Sequence, residues 1–172
     1  MGVTIHFDGK LNNENDYQAV MKSATEFATK NEMEYAFFEE VDKLLLRVKD
    51  ENEWDYQGMT RGIRIQPHEN SDPFNLEFDK DNYIQEYCKT QFAPIETHIK
   101  LIEFLESIQS HFDQFNVFDE GEYWETHNTE VLENHIKTCF HQIEMAKQND
   151  ASLDGPFRVG DGRIADLMRD SE

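Results

Sequence analysis

Hydrophobic side chains along this chain keep two different periods, and the changes of period divide it into helices and strands. Tyr17, Val20, Met21, Ala24, Phe27 and Ala28 recur at steps of three and four, which is one face of an α-helix. The step becomes two where Phe74, Leu76 and Phe78 alternate with Asn75, Glu77 and Asp79, a strand with one dry and one wet face. It returns to three and four over Ile95, Ile99, Ile102, Leu105, Ile108 and Phe112, and again over Leu132, Ile136, Cys139, Phe140, Ile143 and Ala146. One-sided helices and one-sided strands bury each other most simply as a helix layer on one face of an antiparallel sheet.

The remaining segments fill in this plan. Val3 to Phe7 alternates and stops at Asp8-Gly9, which predicts a first strand. Asn12 or Asn13 supplies an N-cap ahead of the acidic Glu14 and Asp16, and Asn31 closes that helix after Lys30. Tyr35, Phe37 and Phe38 predict a short strand ended by an acidic turn at Glu39-Glu40. Leu44, Leu46 and Val48 predict another, with Arg47 on its opposite face. Ile63 and Ile65 flank Arg64 before Pro67, Asn70-Ser71-Asp72-Pro73 reads as a turn, and Tyr83 to Gln91 fits either a strand or an irregular helix. Pro94 suits a first helical turn, Phe115 and Val117 predict a strand with Phe118 on its other face, and Thr129 is the expected N-cap of the last helix. The order β-α-β-β-β-β-α-β-α predicts an α+β two-layer sandwich, mainly antiparallel, in a ferredoxin-like or TATA-binding-protein-like arrangement. Such an analogy carries no function. Residues 1–150 are expected as one domain, with 151–172 a short appendage packed on it.

Charge narrows the possible roles. With 16 Lys+Arg against 36 Asp+Glu the net charge is −20, yet 13 Phe, 6 Tyr and 2 Trp are too apolar to stay in water, so the chain is expected to fold. A strongly negative surface repels nucleic-acid phosphates and anionic membranes. No apolar run approaches the roughly 18 residues of a membrane span. The N-terminus lacks the basic and apolar regions of a signal peptide, and His6 stands where a myristoylation motif starting at Met1-Gly2 wants Ser or Thr. Cys88 and Cys139 are expected free and buried, which suits the cytoplasm. No Walker, dinucleotide, zinc-ribbon or nucleophile-elbow motif is present, and no cofactor is implied.

The chemistry-bearing residues form two groups. From Leu101 to Ile136 nine acidic residues occur without a single Lys or Arg, and they are densest in Asp119, Glu120, Glu122 and Glu125 around Tyr123 and Trp124. Carboxylates that steer and aromatics that anchor suit a non-enzymatic, inhibitor- or immunity-type protein that binds a basic protein partner. The same stretch offers Asp119, Glu125 and His127 to a divalent cation if it is extended. The second group is cationic. Arg47 and Arg64 are expected side by side on the open sheet face, where they either pair across the strands with Glu or Asp or, with His68 near and His6 and Glu77 in reach, form a pocket for a small anion. His135 and Cys139 stand one turn apart, but Cys139 lies on the apolar stripe and reads as a small hydrophobe. His98 likewise reads as packed.

Overall fold

The computed structural model describes residues 2–170; Met1 of the N-terminal motif and residues 171–172 of the appendage lie outside them. The fold is α+β, with helices packed against antiparallel sheets. Strand β1 (Thr4–Leu11) leads into helix α1 (Glu14–Lys30), then β2 (Glu34–Leu45) and a small hairpin of β3 (Val48–Lys49) and β4 (Asn52–Glu53). β5 (Tyr56–Gln66), β6 (Phe74–Phe78) and β7 (Tyr83–Lys89) follow. α2 (Ile95–Ile108), β8 (Phe112–Asp119), the single turn α3 (Tyr123–Thr126) and α4 (Thr129–Asn149) complete the body. The appendage pairs β9 (Leu153–Asp154) with β12 (Met168–Arg169), and β10 (Phe157–Arg158) with β11 (Ile164–Ala165).

The main strands form two three-stranded sheets, in the orders β2-β5-β6 and β7-β1-β8. They abut along β6 and β7, which no continuous ladder joins. The Asp79 N–H donates to the Tyr83 carbonyl (3.0 Å) at one end of the pair, and the Asp72 N–H to the Lys89 carbonyl (2.9 Å) at the other. Strand alternation then sorts the side chains. Ile5, Phe7, Ile63, Ile65, Phe74, Leu76 and Ile84 enter the core, where they meet Val20 and Ala24 of α1 and Leu101, Ile102 and Leu105 of α2. Phe74 links the layers, with ring centroids 5.4 Å from Phe7 and 5.9 Å from Phe104. Each fully buried residue of this kind contributes about 1.5–3 kcal/mol. The other face of the sheets carries His6, Asp8, Arg64, Asn75 and Glu77, and among the described residues no helix lines it.

Local chemistry sets the ends of the helices. Asn13 accepts from the Asp16 N–H (2.9 Å) to cap α1, and Asn31 closes it by donating its backbone N–H to Phe27 (3.2 Å). Asn128, rather than Thr129, caps α4 and accepts from the Glu130 and Val131 N–H groups. β2 departs from expectation. The acidic pair Glu39-Glu40 makes no turn; the strand runs on through a bulge between Glu40 and Lys43. As an edge strand it has solvent on its outer side, so carboxylates there meet no burial cost. Its end carries Leu44 and Leu46 out to 55% and 78% exposure instead of onto a core face. Tyr83 to Lys89 resolves as a strand because β1 is there to pair with it.

Candidate functional site

The acidic run does not carry its aromatics outward. Asp119 is buried. Its carboxylate accepts from the backbone N–H groups of Gly121 (2.8 Å), Tyr123 (2.8 Å) and Trp124 (2.9 Å) and from His98 Nε2 (3.0 Å). Those bonds fold residues 119–127 into a compact turn, in which Glu122 and His127 take left-handed backbone angles (φ 56° and 50°). Tyr123 is therefore buried, and Trp124 lies half-buried with its ring edge toward Phe115 at 6.3 Å. Neither serves as an outward anchor. Other carboxylates of the run bond imidazoles: Glu120 to His6 (3.1 Å), Glu122 to His135 (2.5 Å) and Glu106 to His127. Glu125 stays exposed. The proposed cation set is dispersed, because the segment is helical rather than extended. Asp119 is saturated, His127 is turned to Glu106, and among the described residues no cluster of three His, Cys, Asp or Glu side chains is placed to hold a metal.

The cationic residues also part company. Arg47 follows the end of β2 and is sealed beneath the β3–β4 hairpin. Its Nη1 donates to Asp79 (2.8 Å), and its guanidinium lies 4.8, 5.2 and 5.7 Å from the ring centroids of Tyr83, Tyr56 and Trp54. It is 3% exposed and holds the loop to the β6–β7 turn, so it reaches no ligand. His68 is turned inward on its own loop, with Nδ1 accepting from the Asn70 N–H (3.0 Å). Arg64 alone stands on the open face.

That face contains a cleft of about 750 Å³. Its floor holds Arg64 of β5, Asn75 and Glu77 of β6, and His6 and Asp8 of β1; Glu86 and Tyr87 of β7 complete it. The end of β2 and the chain running from it into β3, with Leu44, Leu46 and Val48, form one wall, and the appendage forms another through Asp161 and Arg163. Three of the residues named from the sequence, His6, Arg64 and Glu77, thus share one cavity. The appendage is strapped down by charge. Arg163 donates to Glu86 (3.0 Å) and to the Tyr87 carbonyl (2.6 Å), and Lys89 binds Asp166 (2.6 Å). Gly162, at φ 85°, lies so close to Arg64 that a Cβ there would fall 2.4 Å from Nη2.

Ionic pairing within the cleft is uneven. Lys43 bonds Glu77 (2.7 Å), and Arg163 is shared by Glu86, Asp72 and Asp161. Arg64 has no carboxylate partner among the described residues; its Nη2 meets only the Asp161 carbonyl (3.1 Å). Asn75, directly opposite Arg64 in the strand register, keeps a buried amide oxygen with no hydrogen-bond donor among the described residues. Burial lifts the Glu86 carboxyl to about 7 against the pull of Arg163, and neighbouring Glu77 adds to the rise. Sequence reasoning missed Asn75, Glu86, Tyr87 and Arg163. The alternation at Asn75 and Glu77 marked the wet face, but nothing local shows that residues 161–163 return to cover it.

A Thr90–His98–Asp119 relay, with Thr90 Oγ1 2.7 Å from His98 Nδ1, has the residue types of a nucleophilic triad. All three are at most 2% exposed, so the relay ties α2 to the ends of β7 and β8 and reaches no substrate. Cys139 is buried as a free thiol whose ionisation burial opposes, and His135 turns to Glu122 instead. Among the described residues no helix is long and apolar enough to cross a membrane. No known protein family, curated protein or solved structure matches the chain.

Proposed function

We propose that the protein binds a small organic anion in the cleft on the helix-free sheet face. The observation that carries this reading is the pair at its floor: among the described residues, a guanidinium without a carboxylate beside a buried acceptor without a donor. A carboxylate or phosphate takes the fork of Arg64, and a hydroxyl or amine on the same ligand supplies the proton that Asn75 lacks, since leaving such an acceptor unmade costs about 1–3 kcal/mol. Leu46, Val48 and Phe118, at 78%, 60% and 65% exposure, offer apolar cover for the rest of the ligand. We take the cytoplasm as the compartment, a reading supported by two free, buried cysteines.

The test is a thermal-shift and calorimetric screen of aliphatic 2-hydroxy acids, 2-amino acids and phosphate monoesters against the protein and its R64M and N75L variants. At least one class should raise the melting temperature saturably and lose that effect in R64M, with N75L weakening the hydroxyl- or amine-bearing members most. A flat screen, or binding that survives R64M, rejects the reading.

The charge of −20 supports a second reading, an acidic protein that captures a basic protein partner. Glu122, Glu125, Glu130 and Glu133 remain exposed for steering, while the aromatic anchors must come from elsewhere.

A further inference from the structure

The free edge of β2 is the surface best fitted to such a partner. Among the described residues β2 pairs only with β5, so its other side offers unpaired main-chain donors and acceptors. Sheet edges left open in this way accept an added strand, with backbone bonds giving affinity and alternate side chains giving choice. The stretch Glu34–Glu40 is in regular register with β5, and the bulge before Lys43 marks where the regular edge stops.

The side chains along this edge define what can join it. Tyr35 and Phe37 share the helix-side face with Ile65 and Ile63, yet they are 41% and 57% exposed. They stand edge to face at 6.2 Å. Phe37 also lines a groove of about 590 Å³ between α1 and β2, together with Tyr17, Met21 and Thr25. An added strand would place apolar side chains into that groove. Glu34, Glu39, Glu40 and Asp42 lie along the same strand and form no ion pair among the described residues; its one cation, Lys43, is already held by Glu77. A second copy of this chain would bring like carboxylates together across the new ladder, which is destabilising. A cationic strand would be drawn in.

We infer that the edge of β2 from Glu34 to Glu40 docks an extended segment of a basic protein, apolar opposite Tyr35 and Phe37 and carrying Lys or Arg opposite Glu34, Glu39 and Glu40. This assignment rests on the acidic-binder reading and is independent of the cleft. The probe is a displayed library of random dodecapeptides, selected on the intact protein at low salt. Enriched sequences should alternate apolar and basic residues. A synthetic consensus peptide should bind at least roughly tenfold more weakly to E39K/E40K, and lose binding when alternate backbone nitrogens along one edge are methylated. The methylated peptide reports on strand pairing even if the protein variant folds poorly. No enrichment, enrichment without basic residues, or binding that tolerates methylation overturns the inference. Binding that is weakened by E122Q/E125Q but not by E39K/E40K overturns it too, while leaving the acidic-binder reading intact. Self-association that P substitution within the edge (F37P) abolishes would identify a second copy as the occupant and reject a basic partner.

Discussion

Asp119 and His98 face each other across 3.0 Å with neither side chain open to water. The carboxylate also closes the turn that follows it, so one buried charge joins the end of β8, the start of α3 and the first turn of α2. D119A strips an acceptor from three backbone N–H groups and one imidazole at once and should destabilise the fold by about 3–5 kcal/mol. D119N should fall in between, because one amide oxygen cannot replace two carboxylate oxygens. Burial raises the Asp119 carboxyl, but the hydrogen bond and charge of His98 and the N–H groups of Trp124 and Gly121 outweigh it, leaving the group below the ordinary carboxylate range. Its contribution is therefore present above the unfolded-state pKa and lost as pH falls through the lower folded-state value. Urea unfolding of D119N should show a flatter acid limb than the parent protein.

Glu86 has the opposite sign. Its carboxyl rises from 4.5 to about 7, first because it is buried, and the nearby Arg163 only partly opposes that. Between those two values the folded state holds a proton that the unfolded state has released. Stability from this group is complete below the lower value and declines as pH rises toward the upper one, by about 1 kcal/mol per pH unit at most. E86Q should remove this decline. Melting curves collected across the same interval, with R163M as a comparison that loosens the appendage, would show it.

Arg47 pairs with Asp79 at 2.8 Å while both side chains are nearly sealed. R47A leaves that carboxylate buried and unpaired, and should cost about 3–5 kcal/mol. R47M/D79N should cost less than the sum of its single variants, since the two act as one unit. Chemical denaturation of all three proteins measures the coupling.

Gly62 permits the close approach of β5 and β6. A Cβ at this position would lie 1.7 Å from the Leu76 carbonyl oxygen, which the backbone cannot yield to without parting the strands. G62A should therefore lower the melting temperature and reduce amide-exchange protection in β5 and β6 ahead of β1 and β8. Uniform loss across both sheets would show that the strain is shared instead.

The expected order β-α-β-β-β-β-α-β-α matches the main elements, but two errors cancelled in producing it. The alternation divides one strand at Glu39-Glu40 that the structure keeps whole, and it leaves Tyr83 to Gln91 open where the structure forms β7. The acidic pair can stay within β2 because an edge strand keeps a solvent side for its carboxylates. Asn75 and Glu77 were readable as a wet face from alternation alone. The partners that make them part of a cleft come from β1, β7 and residues 161–163, and no local pattern names them.

Periodicity, a property of each segment in isolation, was enough to determine the fold class and the buried stripes of α1 and α2, and residue type alone marked the caps near Asn13 and Asn31. Which polar groups meet was decided only in the folded chain. Arg47 and Arg64 both read as open-face cations, yet one was drawn under aromatic rings by Asp79 and the other was left beside an orphaned amide. Of the carboxylates expected to form a patch, Asp119, Glu120 and Glu122 each bond an imidazole, from α2, β1 and α4, while Glu125 stays exposed. Hydrophobic spacing acts over a few residues, whereas ion pairing and hydrogen bonding depend on neighbours brought in from far along the chain.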